Sequence, residues 1–223
     1  MKLHLAIITC IFLLPLPVLG EITHSKASKP PIPDKCQLTP EDPETGAYSE
    51  TQLQQLVSQI TVKVRGERDV ASGTILAQAG NSYLVVTNSH VVRRINPKSL
   101  NIQTPDGKTH PAKLLPDTNL GQLDLAILEF TSNQQYCLPP EIANFDIDID
   151  TPVMAGGYPS TENNIVFRPG TVRKIVSQPS LKEGYEIGYD SDIEPGMSGG
   201  AILSAQGYLL GINGMSKYPL VPF

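Results

Sequence analysis

Beyond residue 60, apolar and polar residues alternate in short runs, the period of two that marks half-buried strands. Ile60-Thr61-Val62-Lys63-Val64 opens the series. Residues 73–77 and 83–87 form the next two runs, and the Gly80-Asn81 pair between them predicts a hairpin turn. Residues 100–104 and 110–114 flank a second such pair, Asp106-Gly107, and residues 125–130 supply one more apolar run. After Leu138-Pro139-Pro140 the pattern resumes at 153–158 and continues through 170–176, 185–189, 201–203 and 208–212. Many short strands with turn signals between them predict an all-β sandwich or barrel. Helical periodicity appears only before the strands begin. Ser49-Glu50-Thr51-Gln52 reads as a capping box, and Leu53, Leu56, Val57 and Ile60 follow at helical spacing, which predicts one short amphipathic helix over residues 50–58.

The N-terminal part is organised differently. Lys2 precedes a nearly uninterrupted apolar run over residues 5–14, Pro15 and Pro17 break any helix, and Val18-Leu19-Gly20 leads to a cleavage position. Residues 1–20 therefore read as an export signal cut after Gly20, since a membrane span needs roughly 20 apolar residues. Residues 21–48 are rich in Pro, Lys, Ser, Thr and Glu and read as a disordered or surface-hugging tail. The folded domain then covers residues 49–223, and the Pro-rich break near 138–150 divides its strands into halves of about 60–137 and 150–223.

Export implies an oxidising compartment, secreted or periplasmic, and no membrane partner once the signal is removed. Cleavage would remove Cys10 and leave Cys36 and Cys137. Two readings of that pair stand open: a disulfide pinning the tail to the body, or two separate buried thiols. Neither cysteine has metal-ligand spacing and the four histidines are scattered, so no metal and no other cofactor is expected. With 22 acidic against 17 basic side chains, a net charge of −5 and no basic cluster, a nucleic-acid partner is disfavoured.

Three segments place a reactive side chain at a strand end or a tight turn. Thr87-Asn88-Ser89-His90-Val91-Val92 sets His90 just past an apolar strand, and Asp124 immediately precedes Leu125-Ala126-Ile127-Leu128. Gly196-Met197-Ser198-Gly199-Gly200 carries a hydroxyl among glycines. Each alone is ordinary: a surface histidine, a strand-start aspartate, a Gly-Ser turn. Together they form a chemical set. A serine hydroxyl needs an imidazole to take its proton, and the imidazole needs a carboxylate to fix its tautomer. Glycines around Ser198 would let the Gly196 and Ser198 amides converge as an oxyanion hole.

These three blocks, in the order His, Asp, Ser, resemble the catalytic blocks of trypsin-like serine proteases with the chymotrypsin fold. The histidine block and Gly211-Ile212-Asn213 look most like bacterial HtrA-type and secreted cyanobacterial members. The resemblance covers about residues 62–214. It implies two packed antiparallel β-barrels, His90 and Asp124 coming from the first and Ser198 from the second. By the same resemblance His90 would be the general base, Asp124 its orienting carboxylate, Ser198 the nucleophile, and Gly196 with Ser198 the oxyanion hole. The implied activity is hydrolysis of peptide bonds in polypeptide substrates through an acyl-enzyme.

Two departures from the family pattern modify this expectation. Met197 stands where the trypsin branch has an aspartate that pairs with a newly cut N-terminus, so no activation of that kind is expected. The sequence stops at Phe223, soon after Gly214, which predicts an edge strand in the second barrel and a shallow or open pocket. Asp192, Ile212, Asn213 and Gly214 are the candidate pocket residues. Asp192 matches the position that gives trypsin its basic specificity, while a solvated acidic loop over residues 189–194 is the competing reading. An inactive barrel protein that binds polypeptides, and an esterase, are the rival functions.

Overall fold

The computed structural model describes residues 5–9, 36–67, 69–116, 120, 123–143, 147–175 and 184–217. Helix α1 spans Glu50–Ile60 and carries the capping box: the Ser49 hydroxyl accepts from the Gln52 amide, and the Gln52 side chain accepts from the Ser49 amide. The helix runs two residues past its predicted end because Ile60 completes the buried stripe of Leu53, Leu56 and Val57. That stripe packs against Met154, Ala201, Leu203 and Leu209 of the second barrel.

Strands β2 (Thr61–Arg65), β3 (Val70–Ala79), β4 (Ser82–Thr87), β5 (Asn101–Gln103), β6 (Thr109–Leu114) and β7 (Ala126–Thr131) close into the first barrel in the order β2-β3-β4-β7-β6-β5. The β3–β4 hairpin turns at Gly80 and Asn81, and β5–β6 at Asp106 and Gly107, where both glycines have positive φ. Its core is aliphatic, with Val62, Val64, Ile75, Val85, Ile102 and Leu128 fully buried. Tyr83 stacks on Phe130 at 5.1 Å inside it.

Strands β8 (Pro152–Gly157), β9 (Val166–Ile175), β10 (Tyr185–Tyr189), β11 (Ala201–Ser204) and β12 (Leu209–Lys217) form the second barrel in the order β10-β9-β8-β11-β12, all antiparallel. β10 and β12 do not pair with each other. The short strand β1 (Leu5–Thr9) lies between them, with Ala6 opposite both Tyr189 and Ser216. Five strands thus nearly close this barrel, and the gap between β10 and β12 is bridged by a segment of the predicted export signal, so β12 is paired on both sides rather than standing as the expected edge strand. The barrels meet through a small apolar cluster of Val86, Leu120, Leu125 and Ile212. Ile142 also bridges to Leu209, docking the chain between the barrels onto the second one.

Cys36 and Cys137 form a disulfide, which settles the open choice about this pair. Between Cys36 and α1 the chain follows the surface of the second barrel, the Tyr48 amide donating to the Ala205 carbonyl at 2.9 Å. The bridge joins residues 101 apart, and a closed loop of that length is worth at most about 4–5 kcal/mol in the chain-entropy picture. The Cys36→Ser/Cys137→Ser double variant is expected to lose most of that stability, read as a lower urea midpoint with an otherwise native circular dichroism spectrum.

Candidate active site

His90 lies in a one-turn helix, α2 (Ser89–Val92), directly after β4. Asp124 sits just before β7, the strand that pairs with β4 in the register Thr87 to Ala126, so the pairing brings the two segments together. The Asp124 carboxylate has no solvent exposure. Its Oδ1 accepts from the His90 amide at 2.8 Å and its Oδ2 pairs with His90 Nδ1 at 2.5 Å. A third donor comes from the other barrel: Tyr185 at the start of β10 donates its hydroxyl to Oδ2, also at 2.5 Å. The exposed Arg93 guanidinium stands 3.8 Å from Oδ1. Asn88, fully buried, donates its side-chain amide to the Asp124 carbonyl at 3.0 Å and holds the two segments in register.

Burial pushes the Asp124 carboxyl up. The hydrogen bonds from the His90 ring, the Tyr185 hydroxyl and the His90 amide outweigh it, and the carboxyl is held below its ordinary value. An ionised Asp124 requires Nδ1 to carry a proton, which leaves Nε2 of a neutral imidazole as a base.

Ser198 belongs to a loop shaped by two glycines with positive φ, Gly196 (φ 98°) and Gly199 (φ 89°). Neither position has room for a Cβ, which at Gly199 would meet the Ser72 carbonyl oxygen at 2.1 Å. Met197, between Gly196 and Ser198, is fully buried in the second-barrel core with Ala155, Val172, Tyr189 and Ile202. Apolar burial therefore anchors the loop where an ion pair would in the trypsin branch. Asn213 secures it from below, its side-chain amide donating to the carbonyls of Gly156 at 2.8 Å and Met197 at 3.2 Å. Tyr189 in turn donates to Asn213 Oδ1 at 2.6 Å.

His90 and Ser198 line one cleft of about 380 Å³, together with Gly196 and Tyr185. Val70, Ile95 and Met215 supply apolar wall, and Asp69 and Arg94 supply charge. The Ser198 hydroxyl donates to the Gly214 carbonyl at 3.1 Å, so proton transfer to His90 requires it to exchange acceptors. Among the described residues neither the Gly196 nor the Ser198 amide has an acceptor. Two unused amide donors beside a hydroxyl, with an oriented imidazole across the cleft, form a constellation suited to acyl transfer.

The candidate pocket residues fare differently. None of Asp192, Ile212, Asn213 and Gly214 is among the cleft-lining residues. Ile212 faces the barrel interface, Asn213 is buried beneath the loop, and Gly214 reaches the site through its carbonyl. The Asp192 residue is exposed, and its carbonyl accepts from Arg168 Nε at 3.2 Å. The neighbouring Glu194 takes the same guanidinium at 2.5 Å. Tyr185 and Ser72 were not singled out from the sequence, because neither stands in a segment whose local pattern marks it.

Residues 71–212 match the family model for the trypsin-like peptidase domain. The serine protease Do-like HtrA of Bacillus subtilis is 30% identical over 162 residues, covering 67% of this chain and 34% of that protein. The HtrB protein of the same organism is 26% identical over 155 residues, covering 65% and 32%. The Lactobacillus helveticus HtrA protein is also 26% identical, over 149 residues, covering 65% and 35%. The chain spans about a third of the length of these relatives.

The lowered Asp124 pKa fixes a sign for acid stability. Its contribution is complete above the ordinary carboxyl value of 3.8 and is lost as pH falls through the depressed folded-state value. Urea midpoints followed from about pH 5 to pH 2 should fall less steeply in Asp124→Asn than in wild type at the acid end, with the variant less stable at neutral pH.

Proposed function

Because this chain belongs to the trypsin-like peptidase family, we propose that it is an exported serine endopeptidase acting on polypeptides through Ser198, His90 and Asp124. The observation that carries the reading is the short His90–Asp124 pair facing Ser198 across one cleft, beside two amides without acceptors. Ser198 Oγ attacks the scissile carbonyl while His90 Nε2 takes its proton. The carbonyl oxygen becomes an oxyanion and accepts from the Gly196 and Ser198 amides. Collapse of the tetrahedral species breaks the C–N bond, His90 returns the proton to the leaving amine, and an acyl-enzyme remains. Water then repeats the sequence with His90 as base and releases the carboxylate product. Asp124 holds the imidazole in the required tautomer and stabilises its charged form throughout.

Export follows from residues 1–20 read as a signal and from the Cys36–Cys137 bridge, which suits an oxidising compartment. No helix among the described residues is long and apolar enough to cross a membrane. Cleavage after Gly20 would take Leu5–Thr9 out of the seam between β10 and β12. For cleavage specificity, the Asp192 reading loses ground. Asp192 is exposed and lies off the cleft, beside an Arg168 paired with Glu194, which argues against a basic-residue pocket.

The second reading, a polypeptide-binding barrel without turnover, is favoured by the hydrogen bond that holds the Ser198 hydroxyl on Gly214. A fluorophosphonate probe separates the two. Wild type is expected to label and Ser198→Ala not to, and His90→Ala should lower kcat/KM on an unfolded protein substrate by roughly 10⁴-fold or more. A folded wild type that never labels favours the binding protein. With Met197 buried and unable to pair with a new N-terminus, removing residues 21–35 from the exported chain should change kcat/KM by less than about twofold.

A further inference from the structure

Ser72 occupies the third position of β3 in the first barrel and is fully buried, yet every polar group it owns is directed at the active-site region. Its amide donates to the Ser198 carbonyl at 2.9 Å, and its hydroxyl donates to the Gly196 carbonyl at 2.9 Å. The same hydroxyl accepts from the Tyr158 amide at 2.8 Å, so its proton has one direction left. The Ser72 carbonyl accepts from Thr87 Oγ1 at 2.7 Å, which ties Ser72 to the strand end that leads to His90.

The consecutive peptide planes of the loop are held in alternation. In a planar trans peptide the carbonyl and the amide hydrogen point in opposite directions, so anchoring one aims the other. The Gly196 amide shares its plane with the Pro195 carbonyl, which accepts from the Ser160 amide at 2.8 Å. The Ser198 amide shares its plane with the Met197 carbonyl, which accepts from the Gly200 amide at 3.0 Å and the Asn213 side chain at 3.2 Å. The two remaining planes carry the Gly196 and Ser198 carbonyls, which accept from Ser72, and the Met197 and Gly199 amides, which donate to the carbonyls of Glu194 at 3.0 Å and Asn213 at 2.8 Å. Gly196, at φ 98°, restrains its own peptide planes less than another residue would, so a hydrogen bond on its carbonyl adds to the hold on the loop.

We propose that Ser72 is a positioning residue that helps keep the oxyanion hole assembled in the free enzyme, adding from the opposite barrel to the anchoring that buried Met197 supplies where the trypsin branch has an N-terminal ion pair. The inference rests on the serine-protease reading of the site and deepens it. Ser72 touches no substrate; it acts by fixing the Gly196 and Ser198 planes from the opposite barrel. A hydrophobic Met197 supplies depth of anchoring but no direction, and the Ser72 hydroxyl supplies the direction.

The test uses the full chain, wild type beside Ser72→Ala, with a peptide ester or amide substrate and a peptidyl boronate as tetrahedral mimic. The expected result is a kcat roughly 10²–10³-fold lower with KM within about threefold of wild type, and boronate affinity falling in proportion to kcat/KM. A thermal midpoint above the assay temperature certifies the fold of the variant. Unchanged kcat and boronate affinity in a folded Ser72→Ala would overturn the proposal while leaving the protease reading intact. Should that variant fail to fold, wild type alone decides: boronate association in stopped flow is expected in one phase with a rate linear in concentration. A slow saturating phase would mean that the hole assembles only on binding. A wild type that fails to react with fluorophosphonate removes the catalytic premise and the proposal with it.

Discussion

A single buried carboxylate constrains the arrangement of both barrels. An ionised aspartate without solvent exposure is costly unless donors replace the water it has lost. Asp124 finds them in the His90 amide, the His90 ring and the Tyr185 hydroxyl. Two of the three come from the first barrel and one from the second. The charge therefore orients an imidazole and fastens one barrel to the other with the same few hydrogen bonds. Loosening of the barrel interface would expose the carboxylate, and misplacement of the ring would leave it short of a donor. Geometry at the site and integrity of the domain are linked through that one group.

The parts of the fold set by local pattern were legible in the chain. The Gly80-Asn81 and Asp106-Gly107 turns, the capping box at Ser49 and the bounds of β10 follow from residue type and spacing. Strand ends drifted where packing continues beyond the alternating stretch, as in β12, which runs on to Lys217. His90, Asp124 and Ser198 stood out because each sits at the end of an apolar run. Tyr185 and Ser72 did not, since their partners lie 61 and 124–126 residues away and their own neighbourhoods look like ordinary strand. Asp192 illustrates the reverse case. Its sequence offset from Ser198 suggests a pocket floor, but in the fold Asp192 is exposed between buried Ser191 and Ile193, with its carbonyl accepting from Arg168.

Met197 and Asn213 display two ways of holding a loop that must not move. The methionine fills core volume, and a well-packed apolar side chain resists withdrawal without defining a rotation. Asn213 is directional: it joins Tyr189, Gly156 and Met197 with three hydrogen bonds in the buried interior. Depth and direction come from different residues. That division holds the loop with apolar volume and neutral hydrogen bonds, with no charged side chain at position 197.

The Cys36–Cys137 bridge changes what a proteolytic nick does to the molecule. It makes the backbone from 36 to 137 a covalent ring, and that ring contains the whole first barrel with His90 and Asp124. A single cut anywhere inside the ring opens it without releasing a fragment, and the severed ends stay tethered through the sulfur atoms. Ser198 lies outside the ring. One cut between residues 138 and 197 leaves His90 and Ser198 on separate fragments joined only by noncovalent contacts. The chain's tolerance of nicking is thus sharply unequal along its length: the first barrel is protected by topology, while the connection to the second, exposed at Pro140, Glu141, Ile142 and Asp148, Ile149, Asp150, lies outside the ring.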